Sequence, residues 1–474
     1  MFSKLWQWIT EAWQKMFNSQ TINQTMGVTT AQSQQMTEAL TVWCDMYRNA
    51  ASWLNAAQGI KSLQLPTIIA SEIARSVTIE MAVDITGSAR AEYLEEQIEY
   101  VIPKMRQMIE YGNAKGGLWM KPYVKGNRIY VDYVQADQGF PVSFDANGCM
   151  TAAIFADQRK TGTWYYTRLE SHNLTDSGYI IKNMAFRSSS TNELGQPTPL
   201  ASIPEWADLA PEATITGVEK SLFGYFRYPL ANNIDTSSPL GVSCYARAVG
   251  LIEDADRIYS NLVWEFESGK RALYVDELAF DKGADGKPLL PDRRLYRTLK
   301  TSANIGTNKE FFEAWSPEFR EASIKSGLNS VLRQIEFACG LSYGVISDPQ
   351  AVALTATEIK TTQQRFWSTI SDTQKSLEYA LDDLIYAMDV WATIGNLAPR
   401  GSYVTDYTWD DSIVADDVAQ RATDDAALAN GTMSKLEWRM RTFKEDEAVA
   451  KEKLDLGRRE ASERLADRLT LVRQ

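Results

Sequence analysis

The longest periodic pattern of apolar residues lies in the last third of the chain. Between Thr355 and Ile394 there is no glycine or proline, and apolar residues recur every three, four or seven positions. This spacing places them on one face of a helix, and Thr355 and Glu358 have the spacing of an N-terminal capping box. The pattern predicts a single helix about 55 Å long, about three times the length of an average globular helix.

The segment before this helix has no hydrophobic period and carries one charged side chain. Gly340 and Gly344 end the preceding helical pattern, and Pro349 prevents its continuation. We therefore expect an irregular apolar loop. Its residues are Val345, Ile346, Ser347, Asp348, Pro349, Gln350, Ala351, Val352, Ala353 and Leu354.

The pattern in the first half of the chain changes from helical to alternating near residue 117. Helical spacing predicts helices within 30–58 and 63–112, the second continuing past Val83 to a break at Gly87. Period-two alternation between turn residues then predicts strands at 118–124, 128–134, 150–155, 162–168, 178–186 and 222–228. Sequential strands joined by short turns predict an antiparallel meander beside helices, which is an α+β fold.

Two helical patterns of similar length enclose a compact insert in the second half. The first has apolar positions from Val242 to Phe266 after a predicted cap at 237–241, and the second runs from Pro317 to Ala338. The intervening residues 270–315 show short strands and turns. The pattern predicts an outgoing helix, a small domain at its tip and a returning helix. Behind the long helix we expect a strand at 403–409 and helices at 416–429, from 434 and at 444–471.

Composition narrows the class of protein. The chain has 474 residues and a net charge of −12, so it lacks the basic excess that neutralises DNA phosphates. Its four cysteines show no paired spacing, which favours free thiols. No run of eighteen apolar residues exists, so no membrane span is predicted. Residues 1–17 form an aromatic amphipathic pattern too interrupted for a signal peptide, and packing on protein is favoured over an interfacial membrane anchor.

Candidate catalytic chemistry is sparse. The single histidine, His172, falls in a predicted loop, which excludes most Ser-His-Asp and Cys-His enzymes. The chain has no GxxxxGK[ST] phosphate-binding sequence. A group of aspartates around residues 406–425 is interpreted as helix caps and solvated surface rather than a metal site. Its members are Asp406, Asp410, Asp411, Asp416, Asp417, Asp424 and Asp425. We expect no enzymatic activity, cofactor or metal.

Four short stretches resemble the portal proteins of long-tailed double-stranded DNA bacteriophages. They are 238–256 (SPLGVSCYARAVGLIEDAD), 354–359 (LTATEI), 409–413 (WDDSI) and 430–434 (NGTMS). They resemble, in turn, the family's entry into its first stem helix, the start of its long wing helix, the segment before its tail and the turn before its final helices. Their order and spacing extend the resemblance over about residues 220–474.

The resemblance implies a helix-rich, multidomain α+β portal fold that assembles as a ring, usually of twelve subunits. The implied domains follow the predicted elements. They are a wing at 1–237, stem helix 1 at 238–269, a clip at 270–315, stem helix 2 at 316–340, a region with the tunnel loop, long wing helix and wing strand at 341–412, and a crown at 413–474.

The implied function is a channel at one capsid vertex for DNA packaging, retention and ejection and for head–tail joining. The implied partners are other copies of the chain, double-stranded DNA, a terminase motor, a head-completion or adaptor protein, and the major capsid and scaffolding proteins. The protein would be located in the virion, and in the host cytoplasm during assembly, with no membrane partner.

The resemblance also implies candidate site residues. Residues 345–354 would be the tunnel loop. Lys325, Arg333, Lys360 and Arg365 are candidates for light phosphate contacts in the channel, with inter-subunit salt bridges or a solvated face as alternatives. Between Lys270 and Glu310 there are nine basic and six acidic residues. The densest basic group, Arg293, Arg294 and Arg297, predicts docking to an acidic partner protein, or else a solvated surface.

Two other functions are compatible with the sequence. A different structural virion protein, such as a minor capsid or adaptor protein, would lack a channel lined by paired helices. A carbohydrate-active enzyme would use two carboxylates and some of the 14 tryptophans.

Overall fold

The computed structural model describes most of the chain. The described residues are 19–54, 59–79, 81–191, 193–269, 272–276, 296–299, 312–315, 318, 320–348, 356–409, 417–443 and 445–456. The predicted helix at 1–17 and the predicted cap residue Thr355 lie outside them. The chain divides into two units, Met1–Thr408 and Trp409–Gln474.

Unit 1 combines helices and sheets. Its helices are α1 Ser19–Met26, α2 Gln34–Tyr47, α3 Leu65–Thr78, α4 Ala89–Glu99, α5 Ile102–Lys115, α6 Val249–Ser268, α7 Glu321–Cys339 and α8 Ala356–Ile394. Its strands are β1 Ala82–Thr86, β2 Gly117–Lys125, β3 Arg128–Gln135, β4 Gly139–Phe144, β5 Met150–Thr161, β6 Trp164–Thr175, β7 Gly178–Ser188, β8 Gln196–Thr198, β9 Glu212–Ile215, β10 Gly224–Arg227, β11 Ala272–Asp276, β12 Tyr296–Leu299, β13 Phe312–Trp315 and β14 Val404–Thr408.

The predicted antiparallel meander is divided between two sheets. The larger sheet has the order β4-β5-β6-β7-β8, with β9 also paired to β7, and its longest ladders join β5 to β6 and β6 to β7. A second sheet has the order β10-β2-β3. The α+β prediction is therefore confirmed, and the short strands β4, β8 and β9 are additions to it.

One predicted helical segment is a strand. The helical pattern continued through Ile79 and Val83, but α3 ends at Thr78 and β1 follows. Strand β1 pairs antiparallel with β14, more than 300 residues away, and Val83 and Ile85 alternate into the core. Ladder hydrogen bonds from this distant partner outweigh the local helical spacing.

Helix α2 is shorter than the predicted helix at 30–58. Ser33 caps its start by accepting a hydrogen bond from the Met36 amide at 3.3 Å. At its end, the Arg48 amide donates to the Cys44 carbonyl at 3.0 Å, and Asn49 has a φ of 59°. Asparagine tolerates this left-handed conformation, so the helix ends there.

Helix α6 begins later than the pattern predicted, and the cap predicted at 237–241 is wrong. The Cys244 amide donates to the Asn113 carbonyl at 2.9 Å, and a Cβ at Gly241 would lie 2.0 Å from the Gly116 carbonyl oxygen. This close approach to the end of α5 holds the chain in an irregular buried path. Regular α-helix therefore begins only at Val249.

Helix α8 is the central element of unit 1, and its 39 residues give a length of about 58 Å. It packs on β2, β10, α3 and α4. Arg90 of α4 is 1% exposed and forms hydrogen bonds with the segment that follows α8. Its guanidinium donates to the carbonyls of Ala398 at 2.8 Å and Pro399 at 3.0 Å.

A buried ionic network around Glu170 joins strand β6 of the largest sheet to strand β2 of the second sheet. The Glu170 carboxylate contacts the Lys121 ammonium. Its oxygens also lie 3.0 Å from Arg168 Nη2 and 2.8 Å from His172 Nε2. Tyr179 Oη lies 2.8 Å from His172 Nδ1, so a neutral imidazole accepts from the phenol and donates to the carboxylate. His172 lies in strand β6 and is 2% exposed. The prediction that it is a loop residue was wrong.

The network makes the pKa values of its members depart from their ordinary values. Burial lowers the pKa of His172, although Glu170 acts in the opposite direction. Burial alone would raise the pKa of Glu170, but Lys121, the hydrogen bond from His172 and Arg168 hold it well below its usual range. Both shifts favour the neutral imidazole beside the ionised carboxylate.

These shifts predict a loss of stability in acid. As pH falls through about 6.5, an unfolded chain protonates its histidine while His172 in the folded state stays neutral. The free energy of unfolding therefore falls, at most by about 1.4 kcal/mol per pH unit for one proton. We expect His172→Gln to reduce this slope between about pH 7 and 5 in denaturant titrations. Carboxyl groups titrate in both proteins, and an unchanged slope would contradict the expectation.

Unit 2 contains helices α9 Asp417–Ala429, α10 Lys435–Phe443 and a further helix at 447–456. The turn after α9 is closed by the Thr432 amide, which donates to the Ala427 carbonyl at 2.9 Å. Trp438 Nε1 donates to Asp425 Oδ1 at 2.8 Å. The last predicted helix thus begins at 447, and residues 457–474 lie outside the described part.

Candidate functional site

Helices α6 and α7 form an antiparallel pair. Near the end of α6, Glu265 accepts hydrogen bonds from the Arg320 amide at 3.1 Å and Nη2 at 2.8 Å, just before α7 begins. These bonds lower the pKa of Glu265. At the other end, burial and then the nearby Cys339 thiol raise the pKa of Cys244. The outgoing and returning helices predicted from the sequence are therefore present.

A small sheet lies between these two helices in the chain. Strand β11 is central, with β12 parallel on one side and β13 antiparallel on the other. Arg297 lies in β12 opposite Tyr274 of β11. Arg293 and Arg294 lie outside the described residues, so the structure does not test the predicted basic group as a whole.

The start of the predicted loop is bound to α7 by one carboxylate. Glu336 is 0% exposed. Its Oε1 accepts from the amides of Gly344 at 3.0 Å, Ile346 at 2.8 Å and Ser347 at 3.0 Å, and its Oε2 accepts from Ser347 Oγ at 2.7 Å. Four donors thus converge on one side chain. We call Glu336 and residues 344–347 the loop-base cluster.

A second contact holds the next residue of the loop. The Asp348 amide donates to Asn329 Oδ1 at 2.7 Å. Asn329 lies in α7, two helical turns before Glu336. Residues 345–348 have no regular secondary structure, and Val345 and Asp348 are exposed. The irregular loop predicted at 345–354 is therefore present up to Asp348, while residues 349–354 lie outside the described part.

Helix α8 contacts the end of α7 at two points. Thr369 Oγ1 donates to the Gly340 carbonyl at 3.1 Å. A Cβ added at Gly340 would lie 2.4 Å from Thr369 Oγ1. Gly340 also has a φ of +71°, which favours glycine. The Arg365 guanidinium lies 4.3 Å from the centre of the Phe337 ring. The helices on both sides of the loop are therefore packed together at its base.

The four predicted channel cations do not form one cluster. Lys325 Nζ lies 6.0 Å from the Phe266 ring, at the end of the helix pair nearest the small sheet. Arg365 lies at the loop end, and Phe337 is about 18 Å along α7 from Lys325. Lys360 lies in α8, and its side chain is outside the described part. Within the described residues, Arg333 Nε and Arg365 Nη1 are buried without a hydrogen-bond partner.

Glu336 was not among the site residues predicted from the sequence, although a local signal was present. Glu336 lies in the last turn of α7, where a carboxylate opposes the helix dipole. A residue that conflicts with its local position indicates a compensating contact elsewhere. Here the compensation comes from amides eight to eleven residues later, which sequence spacing alone did not identify.

The described part of the chain offers little other site chemistry. Groups of three or more His, Cys, Asp or Glu side chains with metal-site geometry do not occur there. Asp424 and Asp425 of the acidic group contact Arg441 and Trp438, while Asp410, Asp411 and Asp416 lie outside the described part. The four cysteines are free thiols, and burial raises the pKa of Cys44 to about 12. Among the described helices, none is long and apolar enough to cross a membrane.

Comparison with solved structures finds distant likenesses. One is described as the neck of a native GTA particle computed with C12 symmetry, at 12% identity and a TM-score of 0.39, covering 80% of this chain and 89% of that one. Another is the neck of an empty GTA particle computed with C6 symmetry, at 10% identity and a TM-score of 0.42, covering 89% and 97%. Both scores are low, so the family assignment depends on sequence. Comparison with curated protein sequences finds no match.

The family model described as phage portal protein, SPP1 Gp6-like, matches residues 103–464. The match includes the meander, the helix pair, the loop-base cluster and α8. The family match begins at residue 103, whereas the resemblance noted in the sequence begins at about residue 220. Because it covers more than half of the 474 residues, the chain belongs to the SPP1 Gp6-like family of phage portal proteins.

Proposed function

We propose that this protein is a non-enzymatic portal, a ring of copies at one capsid vertex through which double-stranded DNA is packaged, retained and ejected. One observation carries the proposal. Within the region that matches the family, the antiparallel pair α6–α7 has a small sheet at one end and the loop-base cluster, followed by α8, at the other. A helix pair with a small domain at one end and a loop at the other suits the wall of a channel.

In this proposal each part of the chain has one role. Helices α6 and α7 form the stem, residues 270–315 the clip, residues 345–354 the tunnel loop and α8 the long wing helix. Residues 1–237 form most of the wing, and the crown begins at residue 413. The ring has twelve copies, and it acts in the virion after assembly in the host cytoplasm.

The charge of the chain supports a channel that lets DNA slide. Each phosphate that a basic side chain neutralises adds affinity, so a conduit has few such contacts. The chain carries −12 overall, and residues 345–354 contain one charge, Asp348. Lys325, Arg333, Lys360 and Arg365 remain the candidates for light phosphate contacts. Their separation along α7 and α8 would spread these contacts along the channel.

The clip is proposed to bind the proteins outside the capsid. Its basic excess, with Arg293, Arg294 and Arg297, suits the acidic face of a terminase motor during packaging and of a head-completion or adaptor protein afterwards. The wing and crown are proposed to contact the major capsid and scaffolding proteins.

Imaging the purified protein tests this function directly. We expect negative-stain electron microscopy to show closed rings with a central opening wide enough for a DNA duplex. Closed symmetry follows from a head-to-tail interface whose rotation returns to the first copy. Light scattering of the same sample should give the mass of about twelve chains. A monodisperse monomer under every condition would rule out the proposal.

A further inference from the structure

The loop-base cluster brings a buried negative charge and a chain reversal together. After Gly340, the Leu341 amide donates to the Glu336 carbonyl at 2.9 Å, which turns the chain back along α7. The chain then passes the side chain of the same residue, so that Gly344, Ile346 and Ser347 donate to its carboxylate. One side chain therefore contacts both the helix end and the segment that leaves it.

The cost of burying this carboxylate indicates that its role is specific. A buried charge is unfavourable unless it is paired or hydrogen-bonded. Within the described residues, no lysine or arginine forms an ion pair with Glu336, and its partners are three backbone amides and the Ser347 hydroxyl. Convergent backbone amides form a binding site for an anion. The buried carboxylate therefore keeps its hydrogen-bond donors only while residues 344–347 hold this conformation.

We infer that Glu336 is a positioning residue, which fixes the direction in which the chain leaves α7 toward residues 349–354. The inference rests on the proposed function in assigning those residues to the tunnel loop. Glu336 itself need not touch DNA. By holding the backbone amides of Gly344, Ile346 and Ser347, it sets the height and direction at which the loop begins in every copy of the ring.

Two substitutions separate this role from simple packing. Glu336→Gln keeps an oxygen that accepts from the amides, and its amide group can donate to Ser347 Oγ. Glu336→Ala removes every acceptor. Asn329→Ala is a matched control on the same helix, because it removes only the acceptor of the Asp348 amide.

Hydrogen exchange of the assembled full-length protein, followed by mass spectrometry, reads the cluster directly. In Glu336→Ala we expect the amides of residues 344–347 to exchange roughly tenfold to a hundredfold faster, because hydrogen bonds to a charged group are lost. Glu336→Gln should restore slow exchange to within a fewfold. Asn329→Ala should accelerate only the fragment containing Asp348. The middle of α8, where Leu377, Leu381 and Leu384 are fully buried, should be unchanged in all three.

A packaging assay adds the functional readout. We expect Glu336→Ala to form rings yet to package less DNA, with Glu336→Gln close to the original protein. Unchanged exchange in Glu336→Ala would overturn the positioning role, whether or not the protein is a portal. Fast exchange with unaffected packaging would show that the cluster is structural only, which also overturns the inference. Absence of rings in the unsubstituted protein would instead contradict the proposed function.

Discussion

Replacing Glu170 with leucine should lower the free energy of unfolding by about 3–5 kcal/mol, because it leaves buried cations without their anionic partner. Lys121 is 5% exposed, and its ammonium contacts the Glu170 carboxylate. Arg168 and His172 lose the same acceptor. Asp132 lies 3.7 Å from the ammonium but is half exposed, so it offsets little of the loss. Urea titration followed by tryptophan fluorescence measures the change.

A matched control in the same sheet is available. Lys182 and Glu212 pair across β7 and β9 at 3.3 Å, with both side chains more than half exposed. Glu212→Ala should therefore change stability by less than about 1 kcal/mol. The double substitution Lys121→Met with Glu170→Leu should recover part of the loss, since replacing a buried pair with apolar groups is often tolerated. Equal losses from Glu170→Leu and Glu212→Ala would show that the network contributes little.

Deleting residues 349–353 should leave ring assembly intact while reducing DNA packaging or retention severalfold. The deletion begins after Asp348, so the loop-base cluster keeps all of its hydrogen bonds. It ends before α8, whose buried face starts near Ile370 in the described part. In the proposed function the shortened loop no longer reaches the DNA. Electron microscopy of rings and quantification of DNA in capsids measure the two effects separately.

A length-matched variant sharpens this experiment. Replacing residues 349–353 with an equal number of glycines and serines keeps the reach of the loop and removes its apolar side chains. If packaging depends on reach, this variant should behave like the original protein; if it depends on apolar contact, it should resemble the deletion. Insoluble protein from both variants would mean that the segment belongs to the core rather than the channel.

Local patterns predicted the regular elements that have strong periodicity. Helix α8 follows from apolar spacing and the absence of glycine and proline, and α7 ends at the predicted Gly340. The strands β2, β3, β5, β6 and β7 follow from alternation between turn residues. In each case the signal lies within one element, so neighbouring residues are sufficient to specify it.

The candidate site was predicted only in outline. The sequence indicated an irregular loop between α7 and α8, but not that Glu336 holds its beginning. The difference has a physical cause. Helical spacing shows which face of α7 Glu336 occupies. The amides that donate hydrogen bonds to its carboxylate follow a chain reversal, and the path of that reversal depends on packing against α8.

Local sequence patterns were sufficient to predict most of the elements, the α+β class, the acidic character of the chain and the helix–insert–helix arrangement that resembles a portal. Contacts that form only in the folded chain make 82–86 a strand, delay the start of α6 to Val249 and bury His172 beside Glu170. Such contacts also bind the beginning of the loop to Glu336. These features depend on partners far apart in the chain, because a ladder, a close backbone approach or a buried charge is stabilised by groups that local periodicity does not contain.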